Sequence, residues 1–285
     1  MKFVNLIDSR SLQPRAAVVR EGSAYYLAPE EELGSLIRAG IALGPLAESA
    51  ILRGVAVPDF SSQRFAPLLT EPGKIICLGL NYFEHAKEGG REKPDYPWLF
   101  LRAASSLVGH NEPVIVPRVS EKFDFEAELA VIIGSKARHV KKSEALDIVL
   151  GYTCFNDLSV RDYQKKTPQW TIGKNFDGSG AFGPALVLAS DLPRGGIGLH
   201  IECRVNGMVT QSADTSEMIF TVADVIERLT ECMTLHPGDV LVMGTPSGVG
   251  FARQPPLWLK PGDRVEVEIE NVGCLENPVC AELAR

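Results

Sequence analysis

Two glutamates separated by one residue, in the segment FDFEAELAVIIG, are the first side chains whose type and spacing could do chemistry. If this segment is a β-strand, Glu126 and Glu128 project from the same face, because side chains alternate along a strand. Both faces are apolar beyond the two acids, which predicts a strand buried on both sides. Two carboxylates in such a place need a shared proton, cationic partners or a metal ion. A rim position, with arginine or lysine beside the acids, is the alternative that this segment leaves open.

A third carboxylate lies in GYTCFNDLSVRDYQKKTPQW, where we predict that a strand ends at Asp157 and that a helix runs from near Ser159 to before Pro168. Asp157, Arg161 and Gln164 would then lie on one stripe, at positions i, i+4 and i+7. Three carboxylates without histidine or cysteine form a hard oxygen donor set, which suits Mg²⁺, Mn²⁺ or Ca²⁺ and not zinc. The set predicts a catalytic metal site, because about three of six positions would stay open for water and substrate. An exposed pair of Asp157 and Arg161 is the alternative.

An acid–base pair is predicted in GLNYFEHAKEGG, where His85 and Glu88 share a face of any helical turn. A carboxylate beside a histidine fixes the tautomer of the ring and raises its basicity, as a general base requires. A lone surface histidine is the commoner explanation for such a motif. Two glycines and the loop REKPDYPW follow, and they are typical of a mobile cover over a site.

One lysine and one glycine-rich turn complete the candidate residues. Lys174, in WTIGKNFDGSG, either supplies positive charge for a bound anion or is a solvated surface residue. The segment around it is not a phosphate-binding P-loop, because no Ser or Thr follows the lysine. GTPSGVG carries the hydroxyl of Thr245 and could bring backbone N–H groups close to a carboxylate, although a simple turn needs no function.

The elements that must position these residues are mostly strands. From residue 74 onward, the segments KIICLGLNY, FEAELAVIIGS, IVLGYTCFND, ALVLAS, LHIECRVNG, DVLVMG and RVEVEIENVG are rich in Val, Ile and aromatics. A helix is predicted through TVADVIERLTECM, with Thr221 as its N-cap. Many strands with few helices predict a mainly β (α+β) fold with an antiparallel or mixed sheet.

Residues 1–70 are predicted to form a small α/β N-terminal domain, and residues 71–285 the catalytic domain. KFVNL and RAAVVREGSAYYL are typical of strands, and the second contains a turn at Glu21–Gly22. Residues 30–52 have helical spacing, which glycines and Pro45 interrupt.

Composition excludes several functional classes. The net charge of −7 and the absence of any Lys/Arg run argue against a nucleic-acid partner. No stretch approaches the ~20 apolar residues of a membrane span, and the first residues do not resemble a signal peptide. The six cysteines form no Cys-x-x-Cys pair, and we expect buried, reduced thiols. We therefore expect a cytoplasmic enzyme without nucleic-acid or membrane partners.

Five motifs, taken together, resemble the fumarylacetoacetate hydrolase family over roughly residues 70 to 280. Their order and spacing are specific, although each motif alone is weak. They are Gly79-Leu80-Asn81-Tyr82 with His85-x-x-Glu88, Glu126-x-Glu128-Leu129-Ala130, Asn156-Asp157-x-Ser159-x-Arg161-Asp162-x-Gln164, Gly173-Lys174-Asn175-Phe176-Asp177, and Gly244-Thr245-Pro246-Ser247-Gly248-Val249-Gly250.

The resemblance implies a mixed β-roll fold, a homodimer or larger homo-oligomer, and Mg²⁺ or Mn²⁺ held by Glu126, Glu128 and Asp157. It implies catalytic roles for four residues: His85, Glu88, Lys174 and Gln164. We also assign four residues to substrate binding: Arg161, Tyr82, Arg102 and Thr245. Two positions depart from many relatives, because Arg102 stands where lysine is common and Leu80 where arginine is common. Both departures bear on the identity of the substrate.

The predicted activity is hydrolysis of a carbon–carbon bond in a 2,4-dioxo acid, through an enolate whose charge the metal holds. Substrates of this type include acylpyruvates, fumarylpyruvate, maleylpyruvate and 2,4-diketo-3-deoxy sugar acids, and the products are pyruvate and a carboxylic acid. Decarboxylation of oxaloacetate and keto–enol isomerisation use the same site and stay open as alternatives. A metal-binding scaffold without catalysis is a further alternative, but such a scaffold has no use for an activated water.

Overall fold

The structure, a computed structural model, describes residues 1–28 and 31–283. Residue 30, the first of the predicted helical stretch, and residues 284 and 285, the last of the predicted catalytic domain, lie outside these ranges. The strands are β1 (Lys2–Ile7), β2 (Pro14–Arg20), β3 (Ser23–Tyr26), β4 (Ile75–Gly79), β5 (Trp98–Arg102), β6 (Leu107–Val108), β7 (Val114–Val116), β8 (Phe123–Asp124), β9 (Ala127–Ile133), β10 (Val149–Asp157), β11 (Ser159–Val160), β12 (Gly180–Leu188), β13 (His200–Val205), β14 (Met208–Asp214), β15 (Val240–Val242), β16 (Arg264–Ile269) and β17 (Gly273–Ala281). The helices are α1 (Leu33–Arg38), α2 (Leu43–Arg53), α3 (Phe83–Glu88), α4 (Arg161–Gln164), α5 (Thr171–Lys174) and α6 (Val222–Cys232).

The strands form one large mixed sheet, one smaller sheet and a two-stranded sheet of β8 and β11, which confirms the predicted mainly β fold. The large sheet has the order β3-β2-β1-β12-β10-β9-β15-β4-β5, and β6 pairs with β12. The smaller sheet has the order β14-β13-β16-β17-β7. Most neighbours are antiparallel, but β15 pairs with β4 in the parallel sense.

Strand β9 is buried along its whole length, as predicted from faces that are apolar beyond the two acids. Leu129 and Val131 belong to the core that also contains Cys203 and Val267 of the smaller sheet. Ala130 and Ile132 belong to a second core, on the side of α1 and α2. The alternation therefore places each face of β9 in a different core.

The N-terminal strands extend the large sheet. Phe3 of β1 is paired with Leu186 of β12, and β2 and β3 continue the sheet outward. Helices α1 and α2 place Leu33 and Ala47 in a core that also contains Cys77 of β4. Residues on the two sides of position 70 thus share one sheet and one core. The predicted domain boundary near residue 70 stays a prediction.

Two helix predictions need correction. The helix predicted from Ser159 begins only at Arg161, because Ser159 and Val160 pair with β8. The helical stretch predicted over residues 30–52 contains two helices, and Gly40, with φ of 71°, lies between them. The helix predicted after Thr221 is confirmed as α6. The hydroxyl of Thr221 caps it by accepting a hydrogen bond from the backbone N–H of Asp224, at 3.3 Å.

The six cysteines are free thiols, but only three of them are buried. Cys77, Cys154 and Cys203 lie in the cores, whereas Cys232 and Cys280 are exposed. The expectation of buried thiols is therefore wrong for the exposed pair, which lies at the end of α6 and near the end of β17. None of the helices within the described ranges is long and apolar enough to cross a membrane.

Candidate active site

Two adjacent antiparallel strands bring the three predicted carboxylates together. Glu126 immediately precedes β9, Glu128 lies within it, and Asp157 is the last residue of β10. The backbone N–H of Asp157 donates to the carbonyl oxygen of Glu126 at 2.9 Å, which fixes the register at this end of the pair. One carboxylate oxygen from each residue lies within 4.8 Å of the other two, and all three side chains are buried.

Cations compensate two of these carboxylates. Lys174 Nζ lies 2.6 Å from Glu126 Oε2 and 2.5 Å from Asp157 Oδ2. Arg161 Nη2 lies 2.7 Å from Glu126 Oε1. Burial alone would raise the pKa of Glu126, but Arg161 and Lys174 lower this pKa to about 2. For Lys174 the directions are reversed. Burial alone would lower the pKa of its ammonium group, but the charges of Asp157 and Glu126 raise this pKa.

Glu128 lacks such compensation. Its carboxylate accepts a hydrogen bond from the backbone N–H of Gly244 at 2.5 Å, and it has no ion-pair partner among residues 1–28 and 31–283. Burial, together with the charges of Asp157 and Glu126, raises its pKa well above the usual value. A buried carboxylate in this position takes up either a proton or a cation.

The donor set therefore fits a divalent cation. It consists of three hard oxygen ligands without histidine or cysteine, as Mg²⁺ or Mn²⁺ prefers. Glu126, Glu128 and Asp157 would hold the ion, and the uncompensated charge of Glu128 is the observation that favours it. Lys174 and Arg161 limit the repulsion among the three acids.

A fourth buried carboxylate, Asp124, connects this cluster to a loop. Its side chain accepts hydrogen bonds from Arg161 Nε at 2.7 Å and from the backbone N–H groups of Gly250 and Phe251 at 2.8 and 3.0 Å. Asp124 thereby orients the guanidinium of Arg161 toward Glu126. Sequence reasoning missed this residue, although Asp124 precedes Glu126 by the two residues that place side chains on one face of a strand.

The predicted acid–base pair is formed. His85 and Glu88 lie on α3, and His85 Nδ1 lies 2.8 Å from Glu88 Oε1. The second carboxylate oxygen of Glu88 accepts a hydrogen bond from the backbone N–H of Gly248 at 3.0 Å. Glu88 is thus held from two sides, and it fixes the orientation of the imidazole. Nε2 of His85 is then the ring nitrogen that can exchange a proton with a ligand.

His85, Glu126 and Glu128 line one cavity of about 440 Å³. Its aromatic wall contains Trp98, Phe100 and Trp170, and the ring of Trp170 contacts each of the other two. Gly79 permits this wall, since a Cβ atom there would lie 2.0 Å from the ring of Trp170. The other residues that line the cavity are Leu78, Leu80, His85, Gly89, Arg91, Glu126, Glu128, Arg161, Gln164, Lys165, Thr167, Pro168, Lys174, Thr245 and Phe251.

Most of the predicted site residues meet at this cavity. Gln164 accepts a hydrogen bond from Arg161 Nη1 at 3.0 Å, which leaves its amide NH₂ group available to a ligand. The hydroxyl of Thr245 accepts from the side chain of Gln211 at 2.8 Å. Leu80, where many relatives have arginine, is apolar and has a positive φ of 58°. The cavity wall therefore lacks a cation at this position.

Two residues assigned to substrate binding lie away from the cavity. Tyr82 is buried beneath α3, and its hydroxyl has no hydrogen-bond partner within the described ranges. Arg102 lies 3.0 Å from Asp157 and donates to the backbone carbonyl oxygens of Lys174 and Ser179. These contacts suit Arg102 to holding the end of α5, where Lys174 lies, and the segment that follows it. Substrate contact by Tyr82 or Arg102 gains no support from this geometry.

The motifs and the geometry agree with a comparison against known families. The profile described as fumarylacetoacetate (FAA) hydrolase C-terminal matches residues 74–280. The chain belongs to the fumarylacetoacetate hydrolase family. The fold of the family is confirmed by the solved structure of a fumarylacetoacetate hydrolase from Exiguobacterium antarcticum. That structure is 33% identical with a TM-score of 0.85, and the match covers 99% of this chain and 100% of the other.

Members of the fumarylacetoacetate hydrolase family similar to this chain have different activities. A mitochondrial oxaloacetate tautomerase of Homo sapiens is 42% identical over 236 residues, which is 82% of this chain and 75% of the relative. A maleylpyruvate hydrolase from Sphingobium sp. SYK-6 is 27% identical with a TM-score of 0.81, and the match covers 99% of this chain and 100% of that one. Family membership therefore indicates an enzyme, with isomerisation and hydrolysis as the two reaction types to distinguish.

Proposed function

We propose that this protein is a divalent-metal-dependent tautomerase that interconverts the keto and enol forms of a small 2-oxo acid. The observation that carries the proposal is the position of His85. Its ring, held by Glu88, lines the same cavity as Glu126 and Glu128. A general base thus lies beside a donor set for a Lewis acid, and proton transfer next to a carbonyl group needs these two components.

Different residues of the chain have different roles in this reaction. A divalent ion held by Glu126, Glu128 and Asp157 would supply the Lewis acidity that makes the C3 protons of a 2-oxo acid more acidic. In enolisation His85 accepts a proton from C3 and passes it to the C2 oxygen, and ketonisation reverses these two transfers. Glu88 stabilises the imidazolium that exists between them. The amide NH₂ of Gln164 lines the cavity and can donate to an oxygen of the substrate. The aromatic wall excludes water from one side.

Two observations favour tautomerisation over hydrolysis. Attack of water on a C4 carbonyl creates an oxyanion that needs strong donors. In the structure Lys174 already donates to Glu126 and Asp157, and Arg161 pairs with Asp124 and Glu126. Neither cation is therefore free to stabilise such an oxyanion. In addition, the oxaloacetate tautomerase is 42% identical to this chain, whereas the maleylpyruvate hydrolase is 27% identical.

Hydrolysis of an acylpyruvate, a fumaryl- or maleylpyruvate or a 2,4-diketo-3-deoxy sugar acid is the second candidate. The observation that favours it is again the pair of His85 and Glu88, which could activate a water as readily as a carbon acid. The fold match to the maleylpyruvate hydrolase adds support. Decarboxylation of oxaloacetate would use the same donor set, but no additional contact favours it.

One experiment distinguishes these candidates. The purified protein is given freshly dissolved enol-oxaloacetate with Mg²⁺, and ketonisation is followed by loss of the ultraviolet absorbance of the enol. Pyruvate release is measured in parallel from oxaloacetate, acetylpyruvate and maleylpyruvate. The tautomerase proposal predicts accelerated ketonisation without pyruvate above the uncatalysed level. Rapid pyruvate release from an acylpyruvate would instead establish the hydrolase, and release from oxaloacetate the decarboxylase.

The nature of the ion and the assembly belong to the same proposal. Mg²⁺ or Mn²⁺ is proposed because all three ligands are carboxylates. A homodimer or larger homo-oligomer is proposed from the family resemblance. Metal analysis after dialysis and light scattering coupled to size-exclusion chromatography would test these two statements, and tightly bound zinc or a monomer would contradict them.

A further inference from the structure

Two cations at the cavity are free of carboxylate partners. Arg91 and Lys165 line it, yet neither forms an ion pair within residues 1–28 and 31–283. The other two cations of the lining, Arg161 and Lys174, are neutralised by buried acids. The positive charge that is available to a ligand therefore lies at Arg91 and Lys165, both of which are exposed.

Aromatic rings of the cavity hold both cations in place. The guanidinium carbon of Arg91 lies 4.9 Å from the centre of the Trp98 ring. Lys165 Nζ lies 4.9 Å from the centre of the Phe251 ring. A cation–π contact restrains a side chain and leaves its charge uncompensated. In a protein with a net charge of −7, two such residues in the lining of one cavity create a local site for an anion.

We propose that Arg91 and Lys165 bind the distal carboxylate of a dicarboxylic 2-oxo acid and so determine the substrate class. The proposal rests on the proposed function in one respect: the 2-oxo acid end of the ligand is placed at Glu126, Glu128 and His85. The second carboxylate then extends toward the opening, where both cations remain uncompensated. A monocarboxylic 2-oxo acid of equal length would leave these two charges without a partner.

Binding of two matched, unreactive acids tests this assignment without reliance on catalysis. Calorimetry with saturating Mg²⁺ compares 2-oxoglutarate with 2-oxopentanoate, which differ only by a distal carboxylate in place of a methyl group. We expect the wild type to prefer 2-oxoglutarate by about tenfold or more, the scale of one charge-assisted hydrogen bond. Arg91→Met and Lys165→Met should each reduce this preference, and the double variant should abolish it while its affinity for 2-oxopentanoate stays unchanged. Salt should weaken the wild-type preference.

Neighbouring lysines provide matched controls. Lys166→Met follows Lys165 in sequence but changes a side chain that stacks on Tyr163 outside the cavity lining. Lys87→Met changes an exposed lysine of α3 that pairs with Glu84. Both controls should keep the wild-type preference. Thermal melting should show every variant to be folded, because all four side chains are exposed.

The outcomes separate this inference from the proposed function. A wild type that prefers 2-oxoglutarate, with a preference that disappears in the double variant, supports the inference even if no tautomerase activity is found. Tautomerase activity without any preference between the two acids overturns the inference and leaves the proposed function intact. A preference that survives in the double variant, or no binding of either acid, also overturns it.

Discussion

The ammonium nitrogen of Lys174 lies 2.5 Å from Oδ2 of Asp157, at the bottom of the cavity. The same nitrogen lies 2.6 Å from Oε2 of Glu126, so a single lysine bridges two of the three predicted metal ligands. Its backbone carbonyl in turn accepts from Arg102. Lys174 thus has a structural role, because it holds the like charges of Glu126 and Asp157 close to each other.

Lys174→Met should therefore reduce both stability and activity. In EDTA we expect a loss of about 3–5 kcal/mol in the free energy of unfolding, because two buried carboxylates lose their shared partner. With saturating Mg²⁺ the stability loss should be smaller, and kcat should still fall by roughly 10²-fold, because Glu126 and Asp157 would no longer be held in position. Urea unfolding and enol-oxaloacetate kinetics measure the two effects. A variant that equals Lys166→Met in both assays would show that the bridge has no energetic role.

Glu128→Gln and Glu126→Gln should have different effects on the stability of the metal-free protein. Glu128 has no cationic partner, and its raised pKa reflects burial and repulsion, so its neutralisation should leave metal-free stability unchanged or higher. Glu126 pairs with Arg161 and Lys174, so the same change there should destabilise. Both variants should lose the rise in melting temperature that Mg²⁺ gives the wild type. Calorimetric melting with EDTA and with Mg²⁺ checks this, and equal destabilisation by both variants would contradict it.

His85→Ala should slow ketonisation by about 10²-fold or more, the scale of a general base. Glu88→Gln should have a smaller effect, because glutamine can still accept from the imidazole but cannot stabilise its charged form. The readout is exchange of the C3 protons of oxaloacetate for deuterium, with bound Mg²⁺ confirmed in each protein. If acetylpyruvate is cleaved instead, His85 is needed to activate water and its loss should stop cleavage. A variant with the exchange rate of the wild type would remove His85 from the mechanism.

His110 should make stability depend on pH in a predictable direction. Burial, aided by the charge of Arg264, lowers the pKa of His110 to about 4. Its Nδ1 accepts from the backbone N–H of Glu276 at 3.1 Å, and a proton on Nδ1 would break this bond. Because the pKa is lower in the folded state than the usual 6.5, the stabilisation is complete above pH 6.5 and is lost as pH falls toward 4.

The test of this pH dependence is His110→Asn, which keeps an acceptor and removes the titration. The free energy of unfolding should fall less between pH 6.5 and 4.5 in this variant than in the wild type. His236→Asn, which changes an exposed imidazole, is the matched control. Parallel pH profiles of the wild type and His110→Asn would show that His110 does not carry the effect.

Local periodicity was sufficient to predict the parts of the site that one element holds. His85 and Glu88 are one helical turn apart, and Glu126 and Glu128 differ by one strand repeat, so their proximity needs no knowledge of the tertiary fold. The same holds for the N-cap at Thr221. The mainly β fold was predictable because the strands are rich in β-branched residues.

Contacts between distant segments were not predictable in this way. Arg102 resembled a substrate ligand in the sequence, but the fold places it against Asp157 and the backbone of Lys174 at the end of α5. Serine is common at the start of a helix, but Ser159 pairs with Asp124 and is therefore a strand residue. The role of Asp124 likewise depends on two distant segments, which supply Arg161 and the backbone N–H of Gly250. Such roles depend on which segments meet, and short-range patterns do not contain that information.

The pairing of β1 with β12 has a practical consequence for dissecting this enzyme into pieces. The family profile begins at residue 74, whereas the sheet that supports the site begins at residue 2. A fragment trimmed to the recognised family region would lose the partner of β12 and leave an open sheet edge next to uncovered apolar surface. Such a fragment would self-associate. The stretch that the family profile matches is therefore shorter than the stretch that forms the continuous large sheet.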